Sequence, residues 1–348
     1  MRQINKVAVL GAGVMGATIA AHLANAGLDV LLLDIVPFSL LPDEEAAGLT
    51  LESPQVRNRI VINGREGLKK MKPAPLFLPQ YLEQIEVGNL SDNLAQLKSC
   101  DWVIEVVIER MDIKKTLLTK LVPNLADGVI LSTNTSGLSV NELAEVLPPE
   151  LQKNFLVTHF FNPPRYMRLL EIVAGEKTDP AVVKGLSDFI SRRLGKGVVY
   201  AKDTANFIAN RIGVYAIFKG LEHMLDMGLS VEEVDSIAGP ATARPKSAAF
   251  RTADLVGIDT LVHVANNSYA NLPHDEEREV FKIPPFVQQM VENGLLGNQS
   301  RHGFYKIDKS GGKKQNHYYD YNDLNFYYDY YDYYDYAYDF YDFVLLYL

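Results

Sequence analysis

The sequence predicts an α/β protein: a doubly wound parallel sheet over residues 1–200, followed by an all-α domain over residues 201–307. Short apolar runs alternate with helical patterns along the first part, and strands separated by helices favour a parallel sheet. After residue 204 the spacing of apolar residues becomes helical. With 348 residues, of which 47% are hydrophobic, the chain is long enough for two domains.

The chain opens with a β-α-β unit. Residues 7–10 form an apolar run typical of a strand, residues 17–26 predict a helix that Gly27 ends, and residues 30–33 predict a second strand that ends at Asp34. The cluster Gly11-Ala12-Gly13-Val14-Met15-Gly16 lies between the first strand and the helix.

The alternation continues with strands expected at residues 102–107, 129–131, 155–157 and 169–173, and helices at 113–121 and 141–146. A proline-rich insertion, residues 36–81, separates these strands and helices from the β-α-β unit. The middle of the insertion, residues 56–71, can be helical. That middle carries five cations, Arg57, Arg59, Arg65, Lys69 and Lys70. They indicate either a solvated helix face or a cationic lid for an anionic substrate.

Helices are expected in the second domain at residues 207–227, 231–238 and 285–293. Residues 308–348 form a linker and a low-complexity Tyr/Asp tail that holds 13 of the 19 tyrosines. Such a run has no helical periodicity and cannot build its own core. It is an interaction strand, a disordered appendage or an artificial extension, and the abrupt change of composition favours the last of these.

Composition excludes several classes of protein. The net charge of −9 comes largely from seven tail aspartates, and no Lys/Arg tract suggests nucleic-acid binding. No apolar stretch is long enough to cross a bilayer, and the N-terminus lacks a signal-peptide pattern. The one cysteine, Cys100, excludes an intramolecular disulfide and fits a reducing cytosol. We interpret Cys100 as a small helix-end residue rather than a nucleophile, and we expect a cytoplasmic protein.

The glycine cluster predicts a Rossmann-type dinucleotide site. Gly11 permits the tight turn, Gly13 lets the backbone approach a pyrophosphate, and Gly16 allows close packing of helix on strand. The helix N-terminus offers N–H groups and a partial positive charge to the phosphates. Asp34 lies where a carboxylate can bind the adenine ribose and repel a 2′-phosphate, so NAD is favoured over NADP.

Three further polar residues follow strand ends or interrupt apolar strands. Ser136 is either an anchor for a substrate oxygen or an ordinary helix N-cap. His159 alone would more often be structural, but Glu171 lies in the apolar strand at 169–173, where a carboxylate is costly to bury unless it is paired. A His159–Glu171 pair would fix the imidazole tautomer and stabilise the imidazolium as it forms. No metal site is expected.

Taken in order, these motifs resemble the L-3-hydroxyacyl-CoA dehydrogenase family of fatty-acid β-oxidation over residues 4–306. The matching segments are Gly11-Ala12-Gly13-Val14-Met15-Gly16, Glu105-Val106-Val107-Ile108-Glu109, Ser132-Thr133-Asn134-Thr135-Ser136, His159-Phe160-Phe161-Asn162-Pro163, Asp203-Thr204, Asn210-Arg211 and Asp254-Leu255-Val256-Gly257-Ile258-Asp259-Thr260.

The resemblance implies a catalytic set and a cofactor set. The catalytic residues would be Ser136, His159, Glu171 and Asn210. The NAD-binding residues would be Gly11, Gly13, Val14, Met15, Gly16, Asp34, Glu109, Lys114, Ser136 and Asn162.

The resemblance also implies an acyl-CoA substrate and a helical second domain that closes the active site and makes a homodimer. The insertion and the segment Arg244-Pro245-Lys246-Ser247 look like the bacterial multifunctional branch, in which a dehydrogenase is joined to an enoyl-CoA hydratase. No hydratase region follows here, so this chain would be the dehydrogenase part. One departure is Gln299, which stands where relatives carry a lysine.

The sequence therefore predicts NAD-dependent oxidation of an L-3-hydroxyacyl-CoA to the 3-ketoacyl-CoA. Two other readings stay open: a related dehydrogenase of another hydroxy acid, such as a sugar acid, and a non-catalytic NAD-binding scaffold protein.

Overall fold

The computed structural model describes the backbone of residues 3–308, 315–318 and 327–329, and the side chains of residues 3–306. The chain divides into two compact units, Met1–Thr204 and Ala205–Leu348. This division falls four residues beyond the boundary expected from the sequence.

The first unit is built on an eight-stranded sheet with the order β3-β2-β1-β4-β5-β6-β7-β8. Its strands are β1 (Lys6–Leu10), β2 (Asp29–Asp34), β3 (Ile85–Asn89), β4 (Trp102–Glu105), β5 (Ile130–Thr133), β6 (Phe155–Phe160), β7 (Leu169–Ala174) and β8 (Gly197–Ala201). The order reverses between β1 and β4, and in such sheets ligands bind outside the carboxyl ends of the strands at this point. This arrangement confirms the expected doubly wound fold.

One strand departs from the expected parallel sheet. β7 pairs with β6 in the antiparallel direction, whereas the other neighbouring strands run parallel. The physical reason lies in the connection, residues 161–168, because a parallel crossover needs a dozen or more residues. The sheet is therefore mostly parallel.

The helices of this unit are α1 (Val14–Asn25), α2 (Pro42–Ala46), α3 (Pro54–Arg57), α4 (Arg59–Gly67), α5 (Met111–Leu121), α6 (Val140–Ala144), α7 (Pro149–Gln152) and α8 (Pro180–Arg193). Short 3-10 turns occur at Pro79–Gln84, Leu94–Ser99 and Val122–Asn124. In the core of this unit α1 packs on β1 and β2, and its Ile19 and Leu23 are fully buried.

The insertion forms α2, α3 and α4, and most of its cations have acidic partners. Arg57 pairs with Asp92 at 2.7 Å and with Glu52 at 2.8 Å. Arg59 pairs with Glu44. Arg65 and Lys69 both pair with Glu66. These ion pairs disfavour a cationic lid, because the acidic partners neutralise the charge, but the three arginine side chains are only 16–27% exposed and so do not form a fully solvated face either.

The second unit is mainly helical, with α9 (Ala209–Met227), α10 (Val231–Ile237), α11 (Phe250–Val256), α12 (Ile258–Asn271) and α13 (Pro285–Glu292). Short 3-10 turns occur at Pro240–Thr242 and Arg278–Phe281. The expected start of α9 at residue 207 is two residues early. Asn206 and Phe207 adopt positive φ angles of 61° and 49°, and this backbone cannot continue into a right-handed helix.

Three strands follow: β9 (Tyr305–Asp308), β10 (Gln315–Tyr318) and β11 (Tyr327–Asp329), which pair in the antiparallel order β11-β10-β9. The composition of the tail did not predict its two short strands, β10 and β11. Most of the Tyr/Asp repeat lies outside the described residues. Among the residues that are described, no helix is long and apolar enough to span a membrane.

Candidate active site

The glycine loop connects β1 to α1 at the carboxyl end of the sheet. Gly11 has a φ of 110°, and a Cβ there would lie 2.6 Å from the carbonyl oxygen of Val106. A Cβ at Gly16 would lie 1.8 Å from the Gly11 carbonyl oxygen, so this position also needs glycine. At Gly13, the N-cap of α1, a Cβ would meet nothing within 4 Å. The backbone is thus open where a pyrophosphate would approach the helix N-terminus, and these residues fit a dinucleotide.

The other two residues of this loop differ in exposure. Val14 is 58% exposed, whereas Met15 is half-buried and packs against the core.

Asp34 ends β2 beside the glycine loop. Its Oδ2 accepts a hydrogen bond from the Ala12 backbone N–H at 2.5 Å, and its Oδ1 accepts one from the Ile35 N–H at 2.6 Å. The carboxylate that the sequence assigns to the adenine ribose therefore also fixes the loop that would hold the phosphates.

His159 and Glu171 face each other across the antiparallel pair of β6 and β7. His159 Nδ1 lies 2.7 Å from Glu171 Oε2, and the two residues are 4% and 0% exposed. Because a carboxylate only accepts, the neutral ring carries its proton on Nδ1 and its lone pair on Nε2. The Phe161 ring lies with its centroid 4.3 Å from that of the imidazole. The pair expected from the sequence is present, and it defines which nitrogen can act as a base.

Ser136 follows β5, and it is not the cap of the next helix. The N-cap of α6 is Ser139, whose Oγ accepts from the Glu142 N–H. The backbone N–H of Ser136 donates to Glu109 Oε1 at 2.8 Å, and the Thr135 hydroxyl donates to the same oxygen at 2.5 Å. The N-cap alternative for Ser136 is thereby excluded.

Lys114 lies beneath this loop and is 1% exposed. Its Nζ donates to both carboxylate oxygens of Glu105, at 2.8 and 3.0 Å, and to the Val107 carbonyl oxygen at 3.1 Å. It lies 3.4 Å from Glu109 Oε2. These acceptors occupy the three N–H bonds of an ammonium. The structure thus places Lys114 as a support for Glu109, and direct contact with a cofactor would require these bonds to break.

Glu105 and Asn134, to which the sequence analysis assigned no role, also hold the loops around Ser136 and Lys114 in place. Glu105 is fully buried and also accepts from the Val107 N–H and the Thr133 hydroxyl. Asn134 Oδ1 accepts from the Phe160 N–H at 2.8 Å and so links the Ser136 loop to the residue after His159. A carboxylate within a short apolar strand, the signal that identified Glu171, could also have identified Glu105.

The remaining sequence candidates are Asn162, Asn210 and Gln299. Asn162 is exposed, two residues beyond the end of β6. Asn210 is the second residue of α9, in the second unit. In that unit the Gln299 amide donates to Asp259 Oδ1 at 2.9 Å, within the motif at 254–260.

Alternative chemistries find little support in the side chains that the structure describes. Cys100 is fully buried, and burial raises the pKa of its thiol to about 11, so it is not a thiolate nucleophile near neutral pH. No group of three or more His, Cys, Asp or Glu residues among residues 3–306 could hold a metal ion.

Comparison with known proteins gives two matching family models. The model for 3-hydroxyacyl-CoA dehydrogenase, NAD binding domain, matches residues 6–204, and that for the C-terminal domain matches residues 207–307. A probable 3-hydroxyacyl-CoA dehydrogenase of Bacillus subtilis is 50% identical over 305 residues, covering 88% of this chain and 38% of that protein.

A probable 3-hydroxyacyl-CoA dehydrogenase of Deinococcus radiodurans is 46% identical over 307 residues, covering 88% of this chain and 84% of that protein. The crystal structure of (S)-3-hydroxybutyryl-CoA dehydrogenase from Ralstonia eutropha superimposes with a TM-score of 0.71 at 26% identity, covering 88% of this chain and 100% of that one. The chain thus spans well under half of the Bacillus protein and most of the Deinococcus protein.

Proposed function

Because this chain belongs to the 3-hydroxyacyl-CoA dehydrogenase family, we propose that it oxidises an L-3-hydroxyacyl-CoA to the 3-ketoacyl-CoA with NAD in fatty-acid β-oxidation. The observation that carries this proposal is the buried His159–Glu171 pair at 2.7 Å. When bound, NAD supplies the acceptor for the hydride that leaves carbon 3 of the substrate.

His159 is the general base in this proposal. Its Nε2 lone pair accepts the proton of the substrate 3-hydroxyl, and the ring becomes an imidazolium. Glu171 holds Nδ1 and balances the new charge inside a site where an unpaired charge would be costly. Proton transfer by a positioned base contributes about 10²–10⁴-fold to a rate.

Ser136 and Asn210 position the oxygens of the substrate, and Ser136 also lies on the cofactor side. Holding the reacting atoms in contact can lower the barrier by roughly 7–11 kcal/mol, which is more than the base contributes. The open backbone at Gly13 and the Asp34 carboxylate support NAD binding. The other cofactor contacts that we propose are those of Gly11, Val14, Met15, Gly16, Glu109, Ser136 and Asn162, whereas Lys114 acts through Glu109.

We further propose that the protein works in the cytoplasm as a homodimer, and that an enoyl-CoA hydratase region or partner completes it. The 38% coverage of the Bacillus relative supports a further region in related proteins. Sedimentation analysis of the purified chain tests the dimer.

The test of function compares substrates on the purified chain. NADH formation should be seen with L-3-hydroxybutyryl-CoA, and it should be much slower with the D isomer, with free 3-hydroxybutyrate or with NADP. His159→Gln should bind NAD as the wild type does, because the glycine loop is unchanged. Turnover of free hydroxy acids in preference to the thioester would contradict the proposed substrate, and NAD binding without any turnover would point to a scaffold protein.

A further inference from the structure

The loop from Asn134 to Ser139 connects β5 to α6, and side chains rather than backbone carbonyls satisfy most of its N–H groups. Thr135 Oγ1 accepts from the N–H of Gly137 at 3.4 Å and of Leu138 at 3.0 Å. The Ser136 N–H donates to Glu109 Oε1. A loop held in this way keeps its shape only as long as the side chains that hold it stay in place.

Asp203 holds the far end of this loop. Its Oδ2 accepts from the Ser139 hydroxyl at 2.7 Å, from Asn141 Nδ2 at 2.7 Å and from the Asn141 backbone N–H at 3.1 Å. Its Oδ1 accepts from the Val140 N–H at 2.9 Å. One carboxylate thus receives four hydrogen bonds from the first residues of α6, although it lies more than 60 residues away in the chain.

We propose that Asp203 is a positioning residue for Ser136. Glu109 fixes the loop at Thr135 and Ser136, while Asp203 fixes it at Ser139 and the start of α6. The Ser136 hydroxyl is therefore held between two anchored points. The inference rests on the proposed role of Ser136 toward the substrate oxygen, and it assigns Asp203 no contact with substrate or cofactor.

Asp203→Asn keeps the shape of the side chain but replaces one accepting oxygen with an NH₂ group. An NH₂ group cannot accept hydrogen bonds. If it replaces Oδ1, the bond from the Val140 N–H is lost, and if it replaces Oδ2, the three bonds from Ser139 and Asn141 are lost. A displacement of about 1 Å at a reacting group can lower a rate by about 10²-fold. We expect kcat to fall about 10- to 100-fold. The Kd for NAD should change much less, because Ser136 is only one of the proposed cofactor contacts and the glycine loop is untouched.

Asp179→Asn is the matched control. Asp179 caps α8, where its Oδ1 accepts from the Ala181 N–H at 2.8 Å. This substitution makes the same chemical change at a helix cap of the same unit, where the Asn oxygen can still accept from the Ala181 N–H. It does not touch the Ser136 loop, and it should leave kcat unchanged. Ser139→Ala, which removes one hydroxyl donor to Asp203, should lower kcat in the same direction by a smaller factor and serves if Asp203→Asn fails to fold.

A double-mutant cycle with Ser136→Ala separates positioning from general destabilisation. If Asp203 acts through Ser136, adding Asp203→Asn to Ser136→Ala should lower kcat little further. Full additivity of the two losses would overturn the positioning role, as would wild-type turnover of Asp203→Asn. Wild-type turnover of Ser136→Ala would instead refute the role of Ser136 in the proposed function, and the inference would fall with it.

Discussion

Replacing Gly64 with alanine tests whether the insertion supports the cofactor loop. Gly64 lies in α4, and a Cβ there would be 2.3 Å from the Ala12 carbonyl oxygen and 2.9 Å from Ala12 Cβ. An ordinary contact is about 3.5 Å, so α4 and the glycine loop would have to separate by about 1 Å. Such overpacking costs about 1–3 kcal/mol. If that strain falls on the loop conformation that binds NAD, the Kd for NAD rises about 5- to 150-fold.

The assay is the titration of each folded variant with NAD by calorimetry, together with the KM for NAD. Gly67→Ala is the control, because Gly67 ends the same helix and a Cβ there would meet nothing within 4 Å. This control should bind NAD as the wild type does. Equal NAD affinity in Gly64→Ala, Gly67→Ala and the wild type would refute the idea that the insertion determines the position of the glycine loop.

Three further predictions follow from the same structure. Glu171→Gln should lower kcat at least about tenfold, because the imidazolium of His159 loses its charged partner; an unchanged rate would show that the pair is only structural. Asp34→Ala with an arginine introduced nearby should raise the NADP/NAD ratio of kcat/KM, and a wild-type preference for NADP would refute the role of Asp34. Burial lowers the pKa of His22 from 6.5 to about 3. Between these two pH values the unfolded state binds one more proton than the folded state, so the free energy of unfolding decreases as the pH falls below 6.5. From pH 6.5 to about pH 5 this effect lowers the free energy of unfolding by about 1.5 kcal/mol. Denaturant titrations of His22→Gln, whose side chain does not titrate, should show a correspondingly weaker pH dependence, and an equal pH dependence in both proteins would contradict the assignment.

The apolar pattern was sufficient to predict most of the first unit, but five of its helices and strands were missed, including the short helices α2 and α7. β3 contains Glu86, Gly88 and Asn89, so it shows no apolar run, and its strand conformation depends on pairing with β2. α8 and β8 were not anticipated either. The antiparallel direction of β7 could have been predicted from the sequence, because the eight residues between β6 and β7 are too few for a parallel crossover.

In the candidate site, too, some contacts could be predicted from the sequence and others could not. The contact between His159 and Glu171 could be expected, because both lie in short apolar strands where a buried charge needs a partner. The contacts of Asp203 with the start of α6 could not, since they join residues more than 60 positions apart and depend on the packing of the whole unit. Lys114 shows a different limit: its residue type suits an anionic cofactor, but its burial against Glu105 becomes visible only in the structure.

The central claim is that His159 removes the proton of the 3-hydroxyl while hydride is transferred to NAD. The most direct measurement is the single-turnover rate of NADH formation from L-3-hydroxybutyryl-CoA in the wild type and in His159→Gln, both saturated with NAD. The account predicts a fall of at least about 10²-fold in His159→Gln at unchanged NAD affinity. A similar single-turnover rate in the two proteins would contradict the account.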